Sequence, residues 1–110
     1  MDIELVSERL EALGALPRLT IFRLLVRAGP DGLPVGEVQR RTGIARSTLT
    51  HHLKKLMTSG LIEQCRVGTT LYCCVRMEEM RQTLNYLNDQ CCADANVEPE
   101  AVAREKEFVE

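Results

Sequence analysis

Two helix-length segments, residues 34–42 and 46–59, flank Gly43, so the chain between them must turn within three residues. Pro34 suits the first turn of one segment, and Leu49, Leu53 and Leu56 give the other an inward stripe at helical spacing. Gly60 stops the second segment, and the hydrophobic period then changes. Residues 61–66 and 70–75 read as two strands around a turn at Val67, Gly68 and Thr69, with Leu71, Cys73 and Val75 on one face.

Helices are expected on both sides of this unit. Asp2 is a good N-cap for a first helix whose Ile3, Val6, Leu10 and Leu13 repeat at helical spacing until Gly14. Pro17 opens a second, with Ile21, Leu24, Leu25 and Ala28 as its stripe and Gly29–Pro30 as its end. From Met77 the helical period returns: Met77, Met80, Leu84, Leu87 and Cys91 alternate by threes and fours, a seam that needs a partner. The expected organisation is one domain over residues 1–92, followed by an acidic tail, 93–110, that is polar apart from Val97, Val102, Phe108 and Val109 and is frayed or a short helix.

Two short helices at a glycine corner followed by a hairpin describe a winged helix-turn-helix, mainly α with a small β-hairpin wing, in the order ααααββα. The charge distribution agrees with that reading. The whole chain carries −2, but residues 18–66 hold nine Lys or Arg against three acids, and residues 93–110 two against six. A basic middle hidden by an acidic end suggests a polyanionic partner for the middle. In this geometry the second helix of the pair enters a major groove. Arg46, Ser47, Thr48, Thr50 and His51 are then the base-facing group, since Arg can be bidentate to guanine and Ser or Thr can reach base edges. Lys54, Lys55, Arg41 and the wing's Arg66 suit phosphates, which supply affinity without sequence information. The plain alternative is an ordinary solvated helix face; corner, hairpin and local charge together favour double-stranded DNA.

At 110 residues the chain has room for one modest core and a binding module. No apolar run approaches the roughly 20 residues that span a bilayer, and the acids in the first ten residues exclude a signal peptide. The expectation is a soluble cytoplasmic protein with no membrane partner. No C-x-x-C motif, glycine-rich phosphate loop or base beside a cysteine supports an enzyme.

Three stretches, LEALGALPRLTIFRLL, STLTHHLKKLMTSGLI and QCRVGTTLYCCV, give the chain a resemblance to the ArsR/SmtB family of bacterial winged-helix repressors, covering almost all of residues 1–92. The resemblance implies a homodimer built from the first and last helices. It also implies binding to an inverted repeat in promoter DNA, and release when a metal, metalloid or oxidant reaches thiols or histidines. The sequence departs from some members. Where arsenite sensors of the family carry cysteines in the third helix, this chain has GLPVGEV, with Pro34 and Gly36 at those places. MEEMRQTLNYLNDQ has no histidine, so the last helix is a poor zinc site. His51 and His52 fall on the reading helix, where DNA contact or local packing is the better explanation.

The five cysteines, Cys65, Cys73, Cys74, Cys91 and Cys92, are a poor disulfide framework and fit reduced thiols. Some arsenic-responsive relatives carry a vicinal pair at the end of the last helix. Cys91 and Cys92 occupy that place, without the further cysteine usual a few residues later. Adjacent Cα atoms lie about 3.8 Å apart, below the usual disulfide range of roughly 4.4–6.8 Å, so convergence on one soft centre is easier than mutual oxidation. No obligatory cofactor is implied, and the effector is expected to be trivalent arsenic, inorganic or methylated. A third sulfur could come from the partner subunit's Cys74 or the partner subunit's Cys73, if the last helices pair antiparallel. The alternative signal is an oxidant or reactive sulfur species acting by cysteine modification. Cys73 reads as core and Cys91 as part of the apolar seam; Cys65 has no assigned role.

Overall fold

The computed structural model describes residues 1–95. Residues 96–110, which hold most of the expected tail with Val97, Val102, Phe108 and Val109, lie outside the described residues. The elements run α1 (Ile3–Leu13), α2 (Leu16–Ala28), β1 (Leu33–Pro34), α3 (Val35–Thr42), α4 (Arg46–Thr58), β2 (Ile62–Val67), β3 (Thr70–Val75) and α5 (Met77–Asn88). This is the winged helix-turn-helix read from the sequence, with one addition. Leu33 and Pro34 form a two-residue strand pairing with Cys73 and Tyr72 of β3, so the antiparallel sheet has the order β1-β3-β2. Two residues are too few to show a period, and Pro34 belongs to this strand and caps α3 rather than starting it.

The helix ends follow the local chemistry. The Asp2 side chain accepts from the Glu4 N–H at 3.0 Å, and Pro17 stands in the first turn of α2. Gly43 closes α3 at φ 71°, a left-handed conformation that glycine adopts without steric cost, and its N–H bonds to Gln39 O at 2.8 Å. The core gathers one face of each element: Ile21, Phe22 and Leu25 from α2, Val38 from α3, Leu49, Leu53 and Leu56 from α4, Leu61 and Ile62 before and in β2, and Cys73 and Val75 from β3. Burying each such leucine contributes about 1.5–3 kcal/mol, so the α4 stripe alone fixes which side of that helix faces solvent.

Two outer helices differ from the sequence expectation. On α1 the buried residues are Val6, Arg9 and Ala12, while Ile3 is 65% exposed and Leu10 43%. The inward face is chosen by what α2, α4 and α5 offer, and α5 offers polar groups. Arg9 is almost fully buried: its Nε donates to Ser59 O at 2.9 Å, and its Nη1 to Thr83 Oγ1 at 3.0 Å and Glu79 O at 3.2 Å. One side chain thus ties α1 to the end of α4 and to α5. On α5, Met77 and Met80 pack against the core, Thr83 is buried, and Leu84 and Leu87 are more than half exposed. The seam does not reach Cys91 as a helix, because α5 ends at Asn88. Asn88 and Asp89 are weak helix formers, and an acid opposes the negative end of the helix dipole.

Candidate nucleic-acid interface and thiol pair

With Leu49, Leu53 and Leu56 turned inward, α4 presents Arg46, Ser47, Thr48, Thr50, His51 and Lys54 to solvent on its other side. Its first turn carries no acid, so the positive end of the helix dipole and the Arg46 charge act together on an approaching anion. Arg46 and the wing's Arg66 line one open cleft of about 400 Å³ with Pro34, Gly36, Thr69 and Thr70. The start of α4 and the wing therefore bound the same concavity. Thr50 Oγ1 donates to Arg46 O within the helix at 2.9 Å, which uses its hydroxyl proton locally.

Two of the four expected phosphate contacts already have partners. Arg41 Nε donates to Glu37 Oε1 at 2.8 Å, and Arg40 shares the same carboxylate. These two guanidinium hydrogen bonds hold the Glu37 carboxyl down to about 2. Lys55 Nζ reaches Glu11 Oε1 at 3.0 Å, linking α4 to α1. Lys54, Arg46 and Arg66 take part in none of the ion pairs among the described residues. His52 is half-buried toward α2: its Nδ1 lies 3.5 Å from Arg18 Nη1, and burial, then the Arg18 and His51 charges, lower its pKa. The Arg18 and Arg9 anchors carried no signal in the sequence beyond being cations within amphipathic helices.

The two vicinal cysteine pairs behave differently because of the backbone beneath them. Successive residues of a strand point to opposite faces. Cys73 is accordingly in the core, with Gln64 Nε2 3.4 Å from its sulfur, while Cys74 lies on the outer face of the sheet beside Glu63. Burial raises the pKa of Cys73, partly offset by Gln64 and Arg46, and pushes Cys74 up to about 11 with help from Glu63 and Cys65. Cys91 and Cys92 sit in a turn after α5, both exposed, with Gln90 at φ 57° and Cys92 at φ 63°. That left-handed backbone, uncommon for residues with a Cβ, accompanies sulfurs turned to one side. Their Sγ atoms are 3.6 Å apart. This is too long for a disulfide bond of ~2.05 Å and close to the roughly 3.8 Å edge of a tetrahedron with ~2.3 Å metal–sulfur bonds.

Residues 18–65 match the family model of a helix-turn-helix domain. A homodimeric winged helix-turn-helix DNA-binding domain from Mycobacterium bovis, a possible ArsR-family transcriptional regulator, superposes with a TM-score of 0.65 at 27% identity, over 87% of this chain and 84% of that one. The chain carries a helix-turn-helix domain and folds as an ArsR-type winged helix. The transcriptional repressor BigR from Xylella fastidiosa superposes on this chain with a TM-score of 0.61 at 28% identity, covering 79% of it and 86% of BigR. Nodulation protein NolR of Rhizobium meliloti is 28% identical over 88 residues, 80% of this chain and 70% of NolR. The fold is one that the Mycobacterium bovis regulator and the BigR repressor share. Among the described residues no helix is long and apolar enough to cross a membrane.

The thiol environments give a direct prediction. At neutral pH an alkylating agent should modify Cys65, Cys91 and Cys92 before Cys73 and Cys74, because the thiolate is the nucleophile and the latter two are buried with raised pKa values. Intact-protein mass spectrometry should show three additions well ahead of the rest. Five additions at one rate would contradict the placement of β3.

Proposed function

We propose that this chain is a cytoplasmic, homodimeric repressor of ArsR type. It binds an inverted repeat in double-stranded promoter DNA and releases it when trivalent arsenic, inorganic or methylated, is captured by Cys91 and Cys92. The observation that carries DNA binding is the exposed polar face of α4 sharing a cleft with the wing's Arg66. Arg46 takes the base-reading role with Ser47, Thr48, Thr50 and His51 around it. Lys54 and Arg66 take phosphates, and Arg41 and Lys55 add to them only by giving up Glu37 and Glu11. Dimerisation is supported by the exposed Ile3 and Leu10 of α1 and Leu84 and Leu87 of α5, an apolar surface that a second copy would cover.

Effector capture rests on the 3.6 Å sulfur pair. Two convergent thiolates suit a thiophilic centre rather than a hard cation. Cys73, sealed in the core, is a poor third ligand. An external thiol completes the arsenite site, whereas a methylated arsenical needs only the two protein sulfurs. Exposure of both thiols also favours a second reading, in which an oxidant or reactive sulfur species modifies them. Mass spectrometry separates the two, since arsenic capture leaves the sulfurs unoxidised and reverses with a competing dithiol.

The reading surface is tested with labelled promoter and random duplexes over a range of salt. Arg46→Ala should lose about fivefold or more of the preference for promoter DNA, matching at least ~1 kcal/mol for one base contact. Lys54→Ala should weaken both duplexes alike and reduce the slope against log salt by about one. Equal loss on both duplexes for Arg46→Ala would remove it from base reading, and salt-independent binding would point to a winged helix that docks only on protein.

A further inference from the structure

The outer face of the wing sheet brings together three ligand-type side chains that DNA reading and the Cys91–Cys92 pair leave unused. In the antiparallel β2–β3 register Glu63 lies opposite Cys74, and Cys65 opposite Tyr72. Residues two apart on a strand share a face, so Glu63 and Cys65 stand side by side with Cys74 across from them. The Cys74 sulfur is 3.8 Å from Glu63 Oε1, and one ligand atom from each of the three residues lies within 4.8 Å of the others. The turn ahead of β1 presses on the same strand. A Cβ at Gly32 would fall 2.0 Å from Cys73 O and 2.8 Å from Cys74 Cβ, so only glycine allows this approach. Cys74 is left 8% exposed, while Glu63 and Cys65 remain open to solvent.

Among the described residues no Lys or Arg forms an ion pair with Glu63. Three groups that each become an anion face one another, and a cation relieves what they cannot relieve themselves. The donor set decides which cation. Two sulfurs and one carboxylate oxygen suit a borderline or soft divalent ion, whereas magnesium and calcium take oxygen alone. For a tetrahedral zinc site, bonds of ~2.0–2.3 Å require ligand separations of roughly 3.5–3.8 Å. Modest side-chain rotation from the observed spacing reaches that range.

We propose that Glu63, Cys65 and Cys74 form a zinc-class divalent cation site on the wing, distinct from Cys91 and Cys92. Both thiols give their protons to solvent as the sulfur lone pairs bind the metal, with no change of oxidation state, and water fills the fourth position on the exposed side. The bound ion clamps β2 to β3 one residue from Arg66, so its occupancy stiffens the wing.

Cobalt(II) is the probe, added to the full chain carrying Cys91→Ser and Cys92→Ser so that any signal comes from the wing and does not depend on the effector reading. Thiolate-to-cobalt charge-transfer absorption should rise to one cobalt per chain and disappear when zinc is added. Adding Cys65→Ser, at an exposed position that circular dichroism should show leaves the fold intact, should remove most of the absorption and weaken binding by at least about tenfold. Glu63→Gln should weaken binding while keeping the sulfur-derived absorption. Absence of the absorption in the Cys91→Ser/Cys92→Ser chain, or equal binding after Cys65→Ser, would overturn the site. Equal affinity for Glu63→Gln would overturn the three-ligand set.

Discussion

A chain with both Cys91 and Cys92 replaced by serine should bind promoter DNA as tightly as the native chain and keep its hold when arsenite is added. Neither residue touches the core, and both lie in the turn beyond α5, so the folded state and the α4 surface lose nothing. Release by the effector requires that it bind the DNA-incompetent arrangement more tightly than the competent one. About 2–3 kcal/mol of such coupling corresponds to roughly a 30- to 150-fold loss of operator affinity. The native chain should show that loss and the double variant none. Electrophoretic mobility shifts across an arsenite series check it. A double variant that still releases DNA would place the sensing thiol elsewhere, with Cys65 the next exposed sulfur to examine.

The second large effect is expected far from any DNA contact. Arg9→Ala should destabilise the chain by about 2–4 kcal/mol in chemical denaturation, because it removes the donor to Ser59 O and to the Thr83 hydroxyl oxygen, leaves Glu79 O with only the Thr83 hydroxyl as side-chain donor, and opens a void among α1, α4 and α5. No buried side-chain nitrogen or oxygen among the described residues lacks a partner, so this loss is not diluted by existing defects. Arg9→Met should recover part of the packing and none of the hydrogen bonds. A loss below ~1 kcal/mol for Arg9→Ala would mean that the guanidinium is dispensable. The same side chain joins the end of α4 to α5, so destabilisation and a blunted arsenite response should appear together.

Much of this fold could be read from residue order because α4 announces its own face. Leu49, Leu53 and Leu56 recur at helical spacing, Gly43 and Gly60 mark both ends, and the period shift after Gly60 marks the wing. The outer helices were less legible. Their apolar residues divide between this chain's core and an exposed surface, and a periodic pattern does not say which residues go where. Ile3 and Leu10 are at apolar helical spacing and are exposed, while Arg9, which that spacing does not single out, is buried. The helix end at Asn88 was masked by Cys91 continuing the heptad-like spacing. Likewise, CC at 73–74 and CC at 91–92 are identical strings. Only the strand beneath one and the left-handed turn beneath the other separate a divided pair from a convergent one. The proximity of Cys74 to Glu63 and Cys65 depends on strand register, which the weak turn at Val67–Thr69 did not specify.

The central claim is that occupancy of two sulfurs beyond α5 governs how the α4 surfaces meet a duplex. Fluorescence anisotropy of labelled promoter DNA with the native chain, titrated with arsenite and then with a competing dithiol, tests it most directly. The account predicts loss of bound DNA as arsenite rises, at least about thirtyfold in affinity, and recovery on dithiol addition. An unchanged binding curve, with mass spectrometry showing arsenic on Cys91 and Cys92, would contradict it.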